Sequence, residues 1–170
     1  MNLLYEENRQ YALDGTLASW AFAGLHEAYQ TVGNFLNDVD FVLEDEKYIY
    51  MVEYKNANIP GASAPEVFRP GEEKKIRNVA RKFYDSLHYL NLMKKDKPKK
   101  YIYILEYPLG DRVARGFVRN KLRKHLPFGL RNGKIGLIES VEVLSIAEWN
   151  EHEVYWRYPL KYVGSREERI

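Results

Sequence analysis

The residues that decide the fold are Asn37–Leu43, with the sequence NDVDFVL, and Tyr48–Lys55, with the sequence YIYMVEYK. Both stretches are rich in β-branched and aromatic residues, which favour strands. The four residues between them, EDEK at 44–47, are polar and predict a hairpin turn. We therefore predict two antiparallel strands, at Val39–Leu43 and Tyr48–Tyr54.

Acidic side chains fall on one face of this hairpin. Side chains alternate between the two faces of a strand, so Asp38 and Asp40 share one face, as do Glu53 and Lys55. If the residue before the turn pairs with the residue after it, Asp38 lies opposite Glu53. Asp40 then lies diagonal to Glu53, at roughly 7–8 Å between Cα atoms. A slip of one residue would put the acids on opposite faces.

Carboxylates that converge in this way repel each other unless a cation neutralises them. Mg²⁺ does this in proteins, where it binds carboxylates, waters and the phosphate oxygens of a substrate. Lys55 points to the same place and could contact a phosphate, orient a water or accept a proton. The alternative is an ordinary exposed hairpin with solvated charges. Against this alternative, Glu53 and Lys55 end a strongly apolar strand.

The rest of the chain alternates between helical and strand patterns. Apolar residues at helical spacing predict helices at Thr16–Ala28, from Gly71 or Glu72 to Met93, and at Arg112–His125. Other patterns predict strands at Tyr101–Leu105 and Lys134–Leu144, a loop at Asn56–Pro70, and a short helix after a capping box at Ser145. This order predicts an α/β (α+β) fold with one mixed sheet flanked by helices.

Asp40, followed by Glu53-Tyr54-Lys55 at the end of an apolar strand, resembles the signature of the PD-(D/E)xK nuclease superfamily. The segments DVDFV at 38–42 and MVEYK at 51–55 are similar to the small Holliday-junction-resolvase-like branch in particular. The resemblance covers roughly Leu17–Leu105 and is weak beyond it.

The resemblance implies a restriction-endonuclease-like core of helix, three antiparallel strands, helix and strand. It also implies one or two Mg²⁺ (or Mn²⁺) ions bound by Asp40, Glu53 and the backbone carbonyl of Tyr54. Lys55 occupies the position of the family's catalytic lysine. Asp40, Glu53 and Lys55 are therefore the expected catalytic residues.

Many members of the superfamily add a metal-binding glutamate from the first helix. Glu27 is the candidate here, with Glu6 and Glu7 as rivals. A solvated charge at the end of a helix explains Glu27 equally well. Asp38 is an alternative metal ligand to Asp40.

The small net charge of +2 conceals a strong segregation of charge along the chain. Residues 1–73 contain 4 Lys and Arg against 13 Asp and Glu, a net charge of −9. Residues 74–134 contain 18 against 4, a net charge of +14, and residues 135–170 have a net charge of −3. The middle block is therefore expected to bind a polyanion.

Within that block, basic residues recur along two helices. The candidates for phosphate contacts are Lys74, Lys75, Arg77, Arg81, Lys82, Arg115, Arg119 and Arg123. Such residues give salt-sensitive binding that is independent of base sequence. Each of them taken alone is better explained as a solvated charge that keeps the protein soluble.

Composition excludes several other classes of protein. The chain has 170 residues and no cysteine, which excludes disulfide frameworks, thiolate metal sites and cysteine nucleophiles. No P-loop, dinucleotide-binding glycine pattern or nucleophile elbow occurs. No apolar stretch is long enough to span a bilayer, so we expect a cytoplasmic protein without a signal peptide or membrane partner.

The sequence thus predicts one nuclease-like domain over residues 1–170. The expected activity is metal-dependent hydrolysis of phosphodiester bonds, with DNA as substrate and little base specificity. Two alternatives stay open: a non-catalytic nucleic-acid-binding module on the same fold, and an interaction domain whose basic face binds an acidic protein. Related resolvases are dimers, and the sequence leaves a homodimer open.

Overall fold

A computed structural model describes residues 1–33, 35–59 and 68–164. The strands are β1 Leu3–Tyr5, β2 Tyr11–Asp14, β3 Trp20–Phe22, β4 Phe41–Glu44, β5 Ile49–Asn56, β6 Lys99–Glu106, β7 Arg131–Asn132, β8 Ile135–Gly136, β9 Ile138–Leu144 and β10 Leu160–Tyr162. The helices are α1 Leu25–Gln30, α2 Glu73–Leu92, α3 Arg112–Arg123 and α4 Ile146–Glu151, followed by a 3₁₀ turn at Tyr155–Arg157.

Five strands form the central sheet in the order β3-β4-β5-β6-β9. The first three are antiparallel neighbours, whereas β5, β6 and β9 run parallel. Parallel neighbours need a crossover, and α2 and α3 provide the two crossovers. The expected mixed sheet with flanking helices is therefore confirmed.

The two faces of the sheet bury different partners. On one face, α2 and α3 pack against Val42, Met51, Tyr101 and Val143. On the other face, α4 and the small sheet β1-β2-β10 pack around Trp149. Because side chains alternate along β5, its odd-numbered residues face α2, and Glu53 is among them.

The predicted hairpin is present, but its register differs from the expected one by two residues. Glu44 pairs with Ile49 and Phe41 with Val52, and the Asp45 N–H donates to the Tyr48 carbonyl at 3.1 Å. The turn has the expected four residues but lies one residue later, at 45–48. Because a slip of two keeps every side chain on its face, the acids stay together, with Asp40 instead of Asp38 at the position opposite Glu53.

The β4–β5 ladder begins at Phe41, so Asp40 and the described residues before it are not paired with β5. The Val39 N–H donates to Ser86 Oγ of α2 at 3.1 Å, and both residues are buried. The Asn37 N–H and side-chain amide both donate to Asp85 Oδ2 at 2.9 Å. These bonds tie the entry to β4 to the helix rather than to β5.

Two sequence predictions about local structure are wrong. The segment Thr16–Ala28 forms β3 and then α1, because Trp20–Phe22 pair with β4 and a new helix begins after Gly24. A helix therefore follows the first strand of the central sheet, whereas the family resemblance implied a helix before it. The segment Lys134–Leu144 contains two strands, β8 and β9, because residues 135–136 pair with β7.

The other predictions agree with the structure within a few residues. Helix α2 buries the expected apolar stripe, which includes Ile76, Phe83 and Leu90. The capping box is present at Ser145, where Ser145 and Glu148 bond each other's backbone N–H. Residues 60–67 of the predicted loop lie outside the described part of the chain. No helix in the described ranges has the length and apolar composition needed to cross a membrane.

Replacing Ser86 with alanine should destabilise the protein by about 1–3 kcal/mol, because the buried Val39 N–H would lose its acceptor. Urea denaturation measures this loss. Ser140→Ala, on the opposite edge strand β9, is the control and should change the free energy of unfolding by less than about 0.5 kcal/mol. Equal stability of the two variants would show that the Val39 bond contributes nothing.

Candidate active site

The Asp40 side chain accepts a hydrogen bond from the Tyr54 N–H, which lies beyond the end of the β4–β5 ladder. Its Oδ2 accepts the Tyr54 N–H at 2.7 Å. The N–H and C=O of one strand residue point to the same edge, so the Tyr54 carbonyl also faces the Asp40 side of β5. The Asp40 carboxylate and the Tyr54 carbonyl are thus brought together by the end of β4.

Glu53 lies beside Asp40 and is almost completely buried. Its Oε1 accepts a hydrogen bond from Lys82 Nζ of α2 at 2.7 Å. Its Oε2 is also buried and receives no hydrogen bond from an amide, hydroxyl or ammonium group of the described residues, while Asp40 is near enough to Glu53 for the two acids to share a proton. A buried oxygen of this kind is costly unless a proton or a metal ion occupies it.

The two carboxyl groups perturb each other. Burial, together with repulsion by Asp40, raises the pKa of Glu53 well above its ordinary value. Burial also raises the pKa of Asp40, although Lys82 and the Tyr54 N–H act in the opposite direction. Burial alone would lower the pKa of Lys82, but Glu53 and Asp40 outweigh it and raise that pKa. The site therefore holds a proton or another cation strongly.

Asp40 and Lys82 open into a cleft of about 680 Å³. Its walls come from the β1–β2 hairpin, α1 and the segment that leads into β4. The acidic and basic residues that line it are Glu6, Glu7, Arg9, His26, Glu27, Asp38, Asp40 and Lys82. Acidic residues outnumber basic ones, so this cleft favours cations over free phosphate.

The residues fit a divalent metal ion of the Mg²⁺ type. Asp40, Glu53 and the Tyr54 carbonyl are oxygen donors, and at Glu53 Oε2 a cation would replace at most a proton shared with Asp40. Within residues 1–33, 35–59 and 68–164, no three Asp, Glu, His or Cys side chains form a metal cluster. Mg²⁺ commonly binds one or two carboxylates and keeps several waters, so two carboxylates suffice.

The remaining metal candidates are placed differently. Glu27 is exposed on α1 and lines the cleft. Glu6 and Glu7 lie in the turn between β1 and β2, not on a helix. Glu6 accepts three backbone N–H groups of that turn, at 2.6–3.2 Å, and so has a structural role. Asp38 also lines the cleft, where its Oδ1 lies 3.2 Å from His26 Nδ1.

Lys55, the expected catalytic lysine, is exposed at the end of β5. Its position in the strand puts it on the same face as Glu53. It has no ion pair with any residue that the structure describes, whereas Lys82 contacts Glu53 directly. The lysine nearest the carboxylates therefore comes from α2.

Two of the eight basic candidates are not on the exposed face that the sequence predicted. Lys82 is turned inward to Glu53. Arg115 is buried, with Nε 3.0 Å from Glu148 Oε2 and an N–H donated to the Gly110 carbonyl at 2.6 Å. Because a helix that packs on a sheet has a buried flank, regular spacing alone did not distinguish these residues from their exposed neighbours.

The other six basic residues are exposed or half-buried on α2 and α3: Lys74, Lys75, Arg77, Arg81, Arg119 and Arg123. Arg81 precedes Lys82, and α2 lies beside the cleft. Helix α3 packs against β9, at the edge of the sheet opposite β3. Arg119 lines a separate cavity with Glu142 and Glu148. Arg77 and Arg81 line a third cavity, with Tyr84 and His125. Arg81 is nevertheless tied to the cleft wall, because it pairs with Asp85, which accepts the Asn37 N–H.

Sequence reasoning missed the role of Lys82, and a partial indication was present. Lys82 lies between Val79 and Phe83 of the apolar stripe, and four residues before Ser86, which is buried. A lysine at the margin of a buried stripe is placed to reach a buried acid. Which acid Lys82 reaches depends on how α2 packs on β5, and the spacing of residues along the helix does not predict this packing.

No family model, curated protein or solved structure compared with the chain matches it. What the chain does must therefore be inferred from the geometry of its own residues.

Replacing Glu53 with glutamine should remove a pH dependence from the stability. Folded Glu53 keeps its proton to higher pH than the unfolded chain does, so its contribution to the free energy of unfolding falls as pH rises through and above the ordinary range of a glutamate pKa. The slope for one proton is at most about 1.4 kcal/mol per pH unit.

Urea unfolding in EDTA, from acid to mildly alkaline pH, tests this. The stability of the parent relative to Glu53→Gln should decrease as pH rises. Glu46→Gln, in the exposed turn of the same hairpin, should follow the parent throughout. A constant difference between the parent and Glu53→Gln would contradict the pKa assignment.

Proposed function

We propose that the chain is a metal-dependent nuclease that hydrolyses phosphodiester bonds, with DNA as the substrate. The observation that supports this best is the buried pair Asp40 and Glu53, two acids close enough to share a proton, with Lys82 as the cation that contacts Glu53. A stable fold does not need this arrangement, because two adjacent buried acids are destabilising. A site that binds a divalent cation makes use of such a pair, because the ion neutralises both carboxylates.

Asp40, Glu53 and the Tyr54 carbonyl would hold Mg²⁺ or Mn²⁺. When bound, the ion lowers the pKa of a coordinated water and neutralises charge on the phosphate. The Tyr54 N–H fixes one oxygen of Asp40, so that the other oxygen is oriented toward the site. Lys55 is exposed on the same strand face and would contact the phosphate or the attacking water.

The strand order supports membership of the PD-(D/E)xK superfamily as part of this proposal. Three antiparallel strands are followed by α2 and by the parallel strand β6, as the family core requires. The placement of α1 after β3 departs from that core. The proposal of a nuclease therefore depends on the site more than on the topology.

The exposed basic residues of α2 and α3 favour nucleic acid as the substrate, because they can contact its phosphates. The two helices form one layer on the α2 face of the sheet. Helix α3 contains five Lys and Arg residues and no Asp or Glu. Affinity for a phosphate backbone would come from this layer, and cleavage from the cleft beside it.

Asp40→Asn and Glu53→Gln should each lower the rate of Mg²⁺-dependent DNA cleavage by at least about 100-fold, because each removes a charged metal ligand. Labelled linear, branched and single-stranded DNA, with Mg²⁺, Mn²⁺ or EDTA, are the substrates and conditions. Glu46→Gln is the control and should cleave like the parent. Unchanged cleavage by both site variants would refute the assignment.

The two helices should contribute unequally to binding. Reversing Arg77 and Arg81 of α2 to Glu should weaken DNA binding and reduce the salt slope by about two, because two phosphate contacts are lost. Reversing Arg119 and Arg123 of α3 changes the formal charge equally but should have the smaller effect.

Fluorescence anisotropy in EDTA at several salt concentrations measures both pairs. Equal losses would show that net charge alone determines the affinity. Unchanged affinity in both variants would mean that the basic layer does not bind nucleic acid.

A further inference from the structure

Lys82 is surrounded by the acids of the site. Its Nζ lies 2.7 Å from Glu53 Oε1, and it lines the cleft together with Asp40 and Asp38. All three carboxyl groups act on it electrostatically. One ammonium group balances only one of these negative charges, so the pair Asp40 and Glu53 keeps an uncompensated charge or a proton.

We infer that Lys82 is an internal counter-ion of Glu53 that competes with a divalent cation for this carboxylate. The inference rests on the proposed metal site. A cation near Glu53 Oε2 and an ammonium group on Oε1 repel each other strongly, because they share one buried carboxylate. Binding of the cation therefore weakens or breaks the bond between Lys82 and Glu53.

The structure also indicates which partner moves. The Glu53 side chain is 7% exposed and is held within a central strand, whereas the Lys82 side chain is 30% exposed and opens into the cleft. Lysine has a long, flexible stem, so its ammonium group can turn toward solvent while α2 stays in place. Glu53 has no comparable freedom.

Once released from Glu53, the Lys82 ammonium group would be able to bind substrate. Lys82 would face the cleft next to Asp40, where a phosphate bound to the metal would lie. A lysine ammonium acts as a point charge toward phosphate. Lys82 thus neutralises Glu53 before the cation binds, and faces the phosphate afterwards. It is a positioning residue in the first state and a substrate contact in the second.

Mn²⁺ binding, measured by electron paramagnetic resonance without nucleic acid, tests the competition. A mildly alkaline buffer is used, so that a proton competes least for Glu53. Lys82→Gln should bind Mn²⁺ on the order of tenfold more tightly than the parent, because the competing cation is gone. Lys134→Gln removes an exposed lysine from the turn between β7 and β8 and should match the parent within about twofold.

The outcomes separate this inference from the proposed function. If the parent binds Mn²⁺ and Lys82→Gln binds it equally or more weakly, the competition is refuted and the metal site stands. If neither protein binds Mn²⁺, both the competition and the metal-dependent function are refuted.

A second measurement uses the parent protein, in case Lys82→Gln does not fold. The ¹⁵Nζ resonance of Lys82 is assigned by its absence from Lys82→Arg. This resonance should be visible without metal, because the ammonium group is paired and protected, and it should shift or vanish on addition of Mg²⁺. A resonance that is unchanged at saturating Mg²⁺ would refute the displacement.

Discussion

A carboxylate buried inside a sheet must be neutralised, and this requirement organises the centre of the molecule around Glu53. Glu53 lies on β5, the middle strand of five, on the face that α2 covers. The apolar stripe of α2 fixes the distance between helix and sheet, and at that distance Lys82 reaches the carboxylate. Charge neutralisation at the site and the hydrophobic packing of α2 therefore depend on each other.

The same packing explains why Asp40 is available. Ser86 and Asp85 of α2 bond the backbone before β4 and hold it away from β5. The Tyr54 N–H thereby loses its expected strand partner, and the Asp40 carboxylate replaces it. One helix thus supplies the counter-ion of Glu53, opens the ladder and turns the second carboxylate toward the first.

Much of this architecture could be predicted from sequence, because two periodicities are strong. Alternation along the hairpin predicts which acids share a face, and that prediction holds because the register error was two residues. The error itself arose at Asp45, which accepts hydrogen bonds from the backbone N–H groups of Lys47 and Tyr48 and so places the turn at 45–48. Polarity identifies a turn but not this bonding.

The failures have equally local causes. A helical stripe at Leu17, Trp20, Ala21 and Leu25 fits the pattern, but pairing of Trp20–Phe22 with β4 outweighs it. Spacing along α2 and α3 identifies basic residues but not the side on which each helix packs. Inward-facing Arg115 and Lys82 were therefore grouped with solvent-exposed neighbours.

The cleft is acidic and the layer of α2 and α3 is basic, and this contrast affects how a metal site in the cleft would bind a nucleic acid. The acidic cleft repels a phosphate backbone, while the exposed cations of α2 beside it attract one. In the proposed site a divalent cation would remove this conflict locally, because it would neutralise Asp40 and Glu53 and free Lys82 to face the phosphate. Affinity from the layer would then be present without metal, whereas close approach of a phosphate to the buried carboxylates would require it. The fold partly closes the separation of charge along the sequence, because Lys82, Lys95 and Lys97 of the basic block pair with Glu53 and Glu44 of the acidic block.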